Sequence, residues 1–168
     1  RNRAKEAATP PTACPNVSEP SRTMPTTIRS SARAEVTISR IRLPRVSNLT
    51  DVDALAAEPG VDVRVTVDPA LVTNADLVVL PGSRSTVADL AWLCSQGLDR
   101  ALLDRAARGA AVLGICGGYQ MLGSTIRDEI ESGRGLSQGL SLLPVSVAFG
   151  SEKKLGRPCG MWRDHRVQ

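Results

Sequence analysis

Ala111-Val-Leu-Gly114-Ile-Cys116-Gly-Gly-Tyr-Gln120-Met-Leu-Gly123 reads as a strand, a sharp corner and the first turns of a helix. Ala111 to Leu113 are apolar without alternation, the pattern of a strand covered on both faces. Gly114, Cys116 and Gly118 then reproduce the spacing of a G-x-nucleophile-x-G elbow, with Cys in the place of Ser. A nucleophile at such a corner sits on strained backbone, so small neighbours are required and two glycines supply the space. The helix that follows points N–H groups and the positive end of its dipole at the sulfur, which favours the thiolate. The Gly117 N–H is placed to help hold an oxyanion. A cysteine between glycines also fits a buried structural thiol. The strand before it, the helix-forming run after it and a second loop favour the nucleophile.

That second loop is Pro81-Gly82-Ser83-Arg84-Ser85-Thr86. It follows Asp76 to Leu80, an apolar run expected to be a central strand, and leads into a helix running to Cys94. Gly82 allows close backbone approach, and Ser85 or Thr86 is expected to cap the helix. A loop between a strand C-terminus and a helix N-terminus is where α/β folds place ligand-binding amides. Cys94, among Leu90, Trp92 and Leu93, is expected to be a packed core thiol.

Upstream, Glu35 to Leu43 alternates enough to predict a first strand, and Val61 to Val67 a second. Between them Thr50 is expected to cap a short helix over Asp51 to Glu58, stopped by Pro59-Gly60. Downstream of Gly97, Leu98 to Arg108 predicts an amphipathic helix. The helix after the elbow is expected to run from Gly118 to about Thr125. Gly133 to Gly139 reads as a turn region and Leu140 to Phe149 as a strand or hairpin. The order predicts an α/β fold with a doubly wound, mostly parallel sheet. Asn48, Gly82, Ser83 and Cys116 then gather at one edge, outside the strand C-termini.

Composition agrees with that class. The 168 residues suffice for one domain with a core, and only 2% are aromatic, so the core is aliphatic and base-stacking surfaces are excluded. The formal charge of +4 sits in the ends. Residues 34–150 carry ten basic and thirteen acidic groups, so no basic stripe for nucleic acid is expected on the folded part. Cys14, Cys94, Cys116 and Cys159 show no C-x-x-C pair, which points away from zinc or a disulfide framework and towards a reducing cytoplasm. No apolar run reaches the length of a membrane span or a secretory leader. Residues 1–33, rich in Pro, Ser, Thr and Arg, are read as a disordered or non-domain segment, residues 34–155 as the domain, and 156–168 as a divergent tail.

Three stretches coincide with a known family. Pro44-Arg-Val-Ser-Asn-Leu-Thr-Asp-Val-Asp53, then Leu80-Pro-Gly-Ser-Arg-Ser-Thr86 with Asp89-Leu-Ala-Trp92, and Gly114-Ile-Cys-Gly-Gly-Tyr-Gln-Met-Leu122 resemble the glutamine amidotransferase domain of the cobyric acid synthase family. The third motif is shared with cobyrinic acid diamide synthases and cell-wall amidotransferases, whereas the first motif and Asp-Leu-Ala-Trp point to cobyric acid synthase. The resemblance implies a flavodoxin-like class I amidotransferase fold, incomplete in its C-terminal part. It implies that Cys116 attacks the side-chain amide of glutamine, forms a thioester and releases ammonia. The oxyanion and substrate-binding set is then Gly82, Ser83, Gly117 and Gln120, with no metal and no cofactor in this domain. ATP and Mg are implied only for a synthetase domain that amidates corrin-ring carboxylates. Residues 1–33 contain no G-x-x-x-x-G-K-[ST] nucleotide loop. The family's base lies in a Gly-Tyr-Glu-Ile-His stretch that this sequence lacks. The single histidine, His165, has the wrong flanks and a spacing too short to match. Both ends, and an initial Arg1 rather than Met, therefore read as a truncated copy. The elbow alone would also fit an α/β-hydrolase-like thiol esterase.

Overall fold

The structure, a computed structural model, describes residues 35–152 and 159–167. The segment 1–33 and most of the junction to the tail lie outside the described residues.

Four parallel strands form the main sheet: β1 (Val36–Ile41), β2 (Val61–Thr66), β3 (Leu77–Leu80) and β4 (Ala111–Gly114), in the order β2-β1-β3-β4. This is the strand order of flavodoxin-like doubly wound sheets, with the switch in winding direction between β1 and β3. Val36 pairs with Val61, Ile38 with Leu77 and Leu80 with Gly114. The C-terminal ends of β1, β3 and β4 therefore lie side by side. β3 is central, as its unbroken apolar run predicts, and Val78, Val79 and Leu80 are fully buried.

Alternation along the strands sends apolar groups to both faces. On one face Ile41, Val78 and Leu80 pack with Val72 of α2 (Pro69–Asn74), Leu90 and Leu93 of α3 (Thr86–Ser95), Leu98 and Leu102 of α4 (Leu98–Ala107), and Met121 of α5 (Gly117–Leu122). Each such fully buried Leu is worth about 1.5–3 kcal/mol over an exposed one. On the other face Ile38 and Val79 meet Val52 and Leu55, the latter in the four-residue α1 (Asp53–Ala56). Beyond β4 come β5 (Thr125–Asp128), β6 (Gly135–Gln138) and β7 (Ser146–Ala148). They form a second sheet, β5 being antiparallel to β6 and parallel to β7. β8 (Gly160–Trp162) and β9 (His165–Val167) form a hairpin.

Several expectations are corrected. β4 is not covered on both faces. Among the described residues it pairs with β3 alone, and Leu113 is 44% exposed. Its apolar run marks a parallel strand and does not fix its place in the sheet. Thr50 does not cap α1, because its hydroxyl donates to Asn48 Oδ1 at 2.9 Å. Ser85 is the N-cap residue of α3 as expected, but its side chain makes no capping hydrogen bond, and the Thr86 hydroxyl turns instead to Gln120. Cys94 is exposed on α3 rather than packed in the core. α5 ends at Leu122, and the expected turn over 133–139 contains strand β6. Only Ser146–Ala148 of the stretch 140–149 is a strand. α2 stands where no element is expected. Asp68 caps it, accepting from the Ala70 N–H at 2.8 Å, with Pro69 at its first position.

One charged side chain is buried where an aliphatic one would be expected. Arg105 of α4 is 1% exposed and donates to the carbonyls of Val72, Thr73, Ala75, Asp76 and Ala111. Satisfying every arm of a buried guanidinium with carbonyls is what makes its burial tolerable.

Candidate active site

β4 ends at Gly114 and the chain turns at once. The Ile115 N–H donates to the Leu80 carbonyl at 2.9 Å, which fastens the corner to the end of β3. Cys116 then takes φ 49° and ψ −110°, in the half of conformational space that side chains avoid, and serves as the N-cap of α5. Such a residue costs about 1–3 kcal/mol and persists only where its surroundings impose it. Here they do. The Gly118 N–H donates to Ile115 O at 2.8 Å and the Gln120 N–H to Cys116 O at 3.1 Å. A Cβ on Gly114 would come within 2.7 Å of the Tyr119 backbone. One on Gly118 would overlap the Leu80 carbonyl. The two glycines of the motif thus let the corner close against β3, and Cys116 is left exposed.

The Pro81–Thr86 loop comes down on this corner. A Cβ on Gly117 would lie 2.9 Å from the Ser83 nitrogen, and one on Gly82 would touch the Cys116 Cβ at 3.7 Å. The structure therefore brings Gly82, Ser83, Cys116 and Gly117 into one cluster. Gln120 reaches it from α5, its Oε1 accepting from the Thr86 hydroxyl at 3.0 Å. The Ser83 hydroxyl donates to Asp89 Oδ2 at 2.6 Å and accepts from the Ser85 N–H at 2.9 Å, so it shapes its own loop. Asn48 is likewise occupied locally. Its Nδ2 donates to Asp51 Oδ1 at 2.6 Å and its carbonyl accepts from the buried Arg40 at 3.0 Å.

A third segment, the start of the Pro44–Asp53 motif after β1, joins the cluster through Arg45, Val46 and Ser47, which the motif reading does not single out. Val46 bridges to Ser83, the Ser47 N–H donates to Gly82 O at 2.9 Å and the Arg84 N–H to Arg45 O at 2.8 Å. The Ser47 hydroxyl occupies the space that a Gly82 side chain would need. Asp89, wholly buried, accepts from Ser83 and from both the backbone and the guanidinium of Arg45. The signal that could have found it is a lone acid in the first turn of an otherwise apolar helix, where only a paired carboxylate is tolerated. His165 pairs with Trp162 across the hairpin, and no hydrogen bond among the described residues joins it to Cys116.

A cysteine on strained backbone thus stands at a strand-to-helix corner, packed against the Pro81–Thr86 loop. A family profile described as the CobB/CobQ-like glutamine amidotransferase domain matches residues 37–166. The chain belongs to that family. The matched span takes in all three segments of the cluster and runs on into the β8–β9 hairpin.

Within the family, the chain is 57% identical over 125 residues to a cobyric acid synthase of Frankia casuarinae, covering 74% of this chain and 24% of that one. It is 58% identical over 118 residues to the cobyric acid synthase of Streptomyces avermitilis, covering 70% and 24%. Against that of Mycolicibacterium vanbaalenii it is 52% identical over 136 residues, covering 80% and 28%. The chain thus spans about a quarter of the length of these relatives. A solved peptidase E structure from Listeria monocytogenes EGD-e superposes with a TM-score of 0.53 at 18% identity, covering 68% of this chain and 66% of that one, a likeness of fold. The domain is a glutamine amidotransferase domain of the cobyric acid synthase kind. Among the described residues no helix is long and apolar enough to cross a membrane.

Proposed function

We propose that this chain is the glutamine-hydrolysing part of a cobyric acid synthase, with Cys116 as nucleophile. The sulfur attacks the carboxamide carbon of glutamine, and the carbonyl oxygen takes up the negative charge. The Gly117 N–H and the amides of the Gly82–Ser83 loop are the donors that hold it. Collapse expels the amide nitrogen as ammonia and leaves a thioester, which water opens to glutamate and free thiol. The observation that carries this reading is the packing of the Gly82–Ser83 loop against Gly117 beside a cysteine at φ 49°.

The thiol must lose a proton and the departing nitrogen must gain one, which calls for an acid–base partner. His165 is the sole histidine in the sequence, and no hydrogen bond among the described residues joins it to Cys116. Turnover by this chain alone is therefore expected to be slow compared with acylation. The ammonia serves amidation of corrin-ring carboxylates by an ATP- and Mg-dependent synthetase domain. The relatives favour cobyric acid synthesis over cobyrinic acid or cell-wall acceptors, since those compared with it carry that name.

The test is labelling with a glutamine-analogue diazoketone, read by peptide mass spectrometry. Modification of Cys116 over Cys94 and Cys159, abolished in Cys116→Ser, is the expected result. A folded chain whose Cys116 takes iodoacetamide but not the diazoketone overturns the reading.

A further inference from the structure

The Asp89 carboxylate lies outside the reacting cluster, yet both of its oxygens are spent on the two loops that build it. Oδ2 accepts from the Ser83 hydroxyl at 2.6 Å and from the Arg45 N–H at 3.2 Å, while Oδ1 accepts from the Arg45 guanidinium at 3.2 Å. Asp89 is wholly buried, whereas the Arg45 side chain is 52% exposed. The carboxylate is therefore the fixed partner and the loops are what it holds. Its own backbone is fixed in the first turn of α3, the Asp89 N–H donating to Ser85 O at 2.9 Å.

We infer that Asp89 is a positioning residue that locks the oxyanion loop and the segment after β1 into one unit over Cys116. The inference rests on the glutaminase reading for its consequence, and on hydrogen bonds alone for its structure. Ser83 and Arg45 lie on separate loops, joined by the Val46–Ser83 bridge and the Ser47–Gly82 bond. Those backbone bonds bring the loops together, but neither fixes them against α3. Asp89 does so for both. Its charge matters because a neutral amide in its place keeps one acceptor and turns a donor toward Arg45 or Ser83. The loop would then swing relative to Gly117. Acyl transfer is sensitive to such shifts, since a misplacement of about 1 Å costs on the order of a hundredfold in rate.

The experiment compares the full chain with Asp89→Asn, Ser83→Ala and the double variant. Two readouts are taken on each: amide hydrogen exchange over residues 44–48 and 81–86, and the rate of Cys116 labelling by diazoketone against iodoacetamide. Asp89→Asn is expected to speed exchange in both loops and to slow diazoketone labelling about tenfold or more, with iodoacetamide labelling little changed. The double variant is expected to be no slower than Asp89→Asn alone, because one network is being cut twice. Unchanged exchange in either loop, or additive losses in the double variant, overturns the inference. If Asp89→Asn does not fold, Arg45→Ala and Ser83→Ala each remove one arm from the outside and are held to the same criterion. A wild-type chain deaf to the diazoketone overturns the glutaminase reading, and the exchange data still decide the role of Asp89.

Discussion

Gly118 lies so close to the carbonyl of Leu80 that a methyl group on its α-carbon would overlap that oxygen. The obstruction is backbone, held by the central strand, and cannot move aside. Gly118→Ala is therefore expected to destabilise the domain by about 2–4 kcal/mol, as overpacking against fixed backbone does. Gly150→Ala is the control, where among the described residues only the Glu152 carbonyl is nearby, at 3.7 Å. Urea midpoints for the two variants check this, and equal midpoints would refute it.

Cys116 is held at a backbone angle that glycine adopts freely. Cys116→Gly is expected to raise stability by about 1 kcal/mol while abolishing diazoketone labelling. A midpoint at or below that of the wild type would show that the corner is not strained.

Removal of Arg105 takes a donor from five carbonyls, that of Val72 in the interior and the rest partly buried. Arg105→Met is expected to cost about 3–5 kcal/mol, and Arg105→Lys somewhat less, because one ammonium still serves some of the five although it cannot reach them all. Thermal melts monitored by circular dichroism rank the three proteins.

The acid limb of the stability curve should carry the mark of Asp128. Burial pushes its carboxyl upward, but donors from Ser132, Glu131 and Ile130 outweigh that and hold it below the usual carboxylate range. A carboxylate depressed on folding stabilises the native state above its unfolded value, and that contribution drains away as pH falls through the folded one. Asp76 adds to the same limb, lowered by the Thr37 N–H and hydroxyl. Asp128→Asn is expected to flatten the fall in urea midpoint below about pH 4. An unchanged slope would remove Asp128 from the account.

Exposure alone does not make a thiol reactive. Burial of part of the Cys94 side chain, with Asp99 nearby, pushes its thiol above the ordinary range. Alkylation of Cys94 should be slow at neutral pH and keep rising past the pH at which a free thiol in water levels off. Peptide mass spectrometry across a pH series reads this directly.

The elbow was legible because its signal is local. Glycines at fixed offsets around Cys116, after an apolar run, leave few alternatives. The parallel sheet was legible as well, since strands alternating with helices imply βαβ units, while the order β2-β1-β3-β4 belongs to the fold alone. What escaped was decided by contacts distant in sequence. Thr50 and Thr86 look like helix caps, but Asn48 and Gln120 offer their hydroxyls other partners. Cys94 falls on the helical spacing of Leu90, and periodicity cannot tell how wide an arc of α3 its neighbours cover. Asp89 stands in the Asp-Leu-Ala-Trp run with no role of its own until Ser83 and Arg45 are seen to close over it. Leu113 is apolar like the core, yet it sits on the last strand of its sheet.

The clasp of Arg105 has a geometric corollary. Its guanidinium holds the carbonyl of Asp76, just before β3, and that of Ala111, the first residue of β4. The two strands that end at the Gly82 loop and at Cys116 thus start from a single anchor, with Leu77 opposite Ala111 and Leu80 opposite Gly114. A slip of one position would turn every side chain of β4 to the opposite face and carry the thiol a residue's length, about 3.3 Å, away from the loop above it. A cation at the far end of the sheet therefore acts as the gauge that sets the alignment of the cleft.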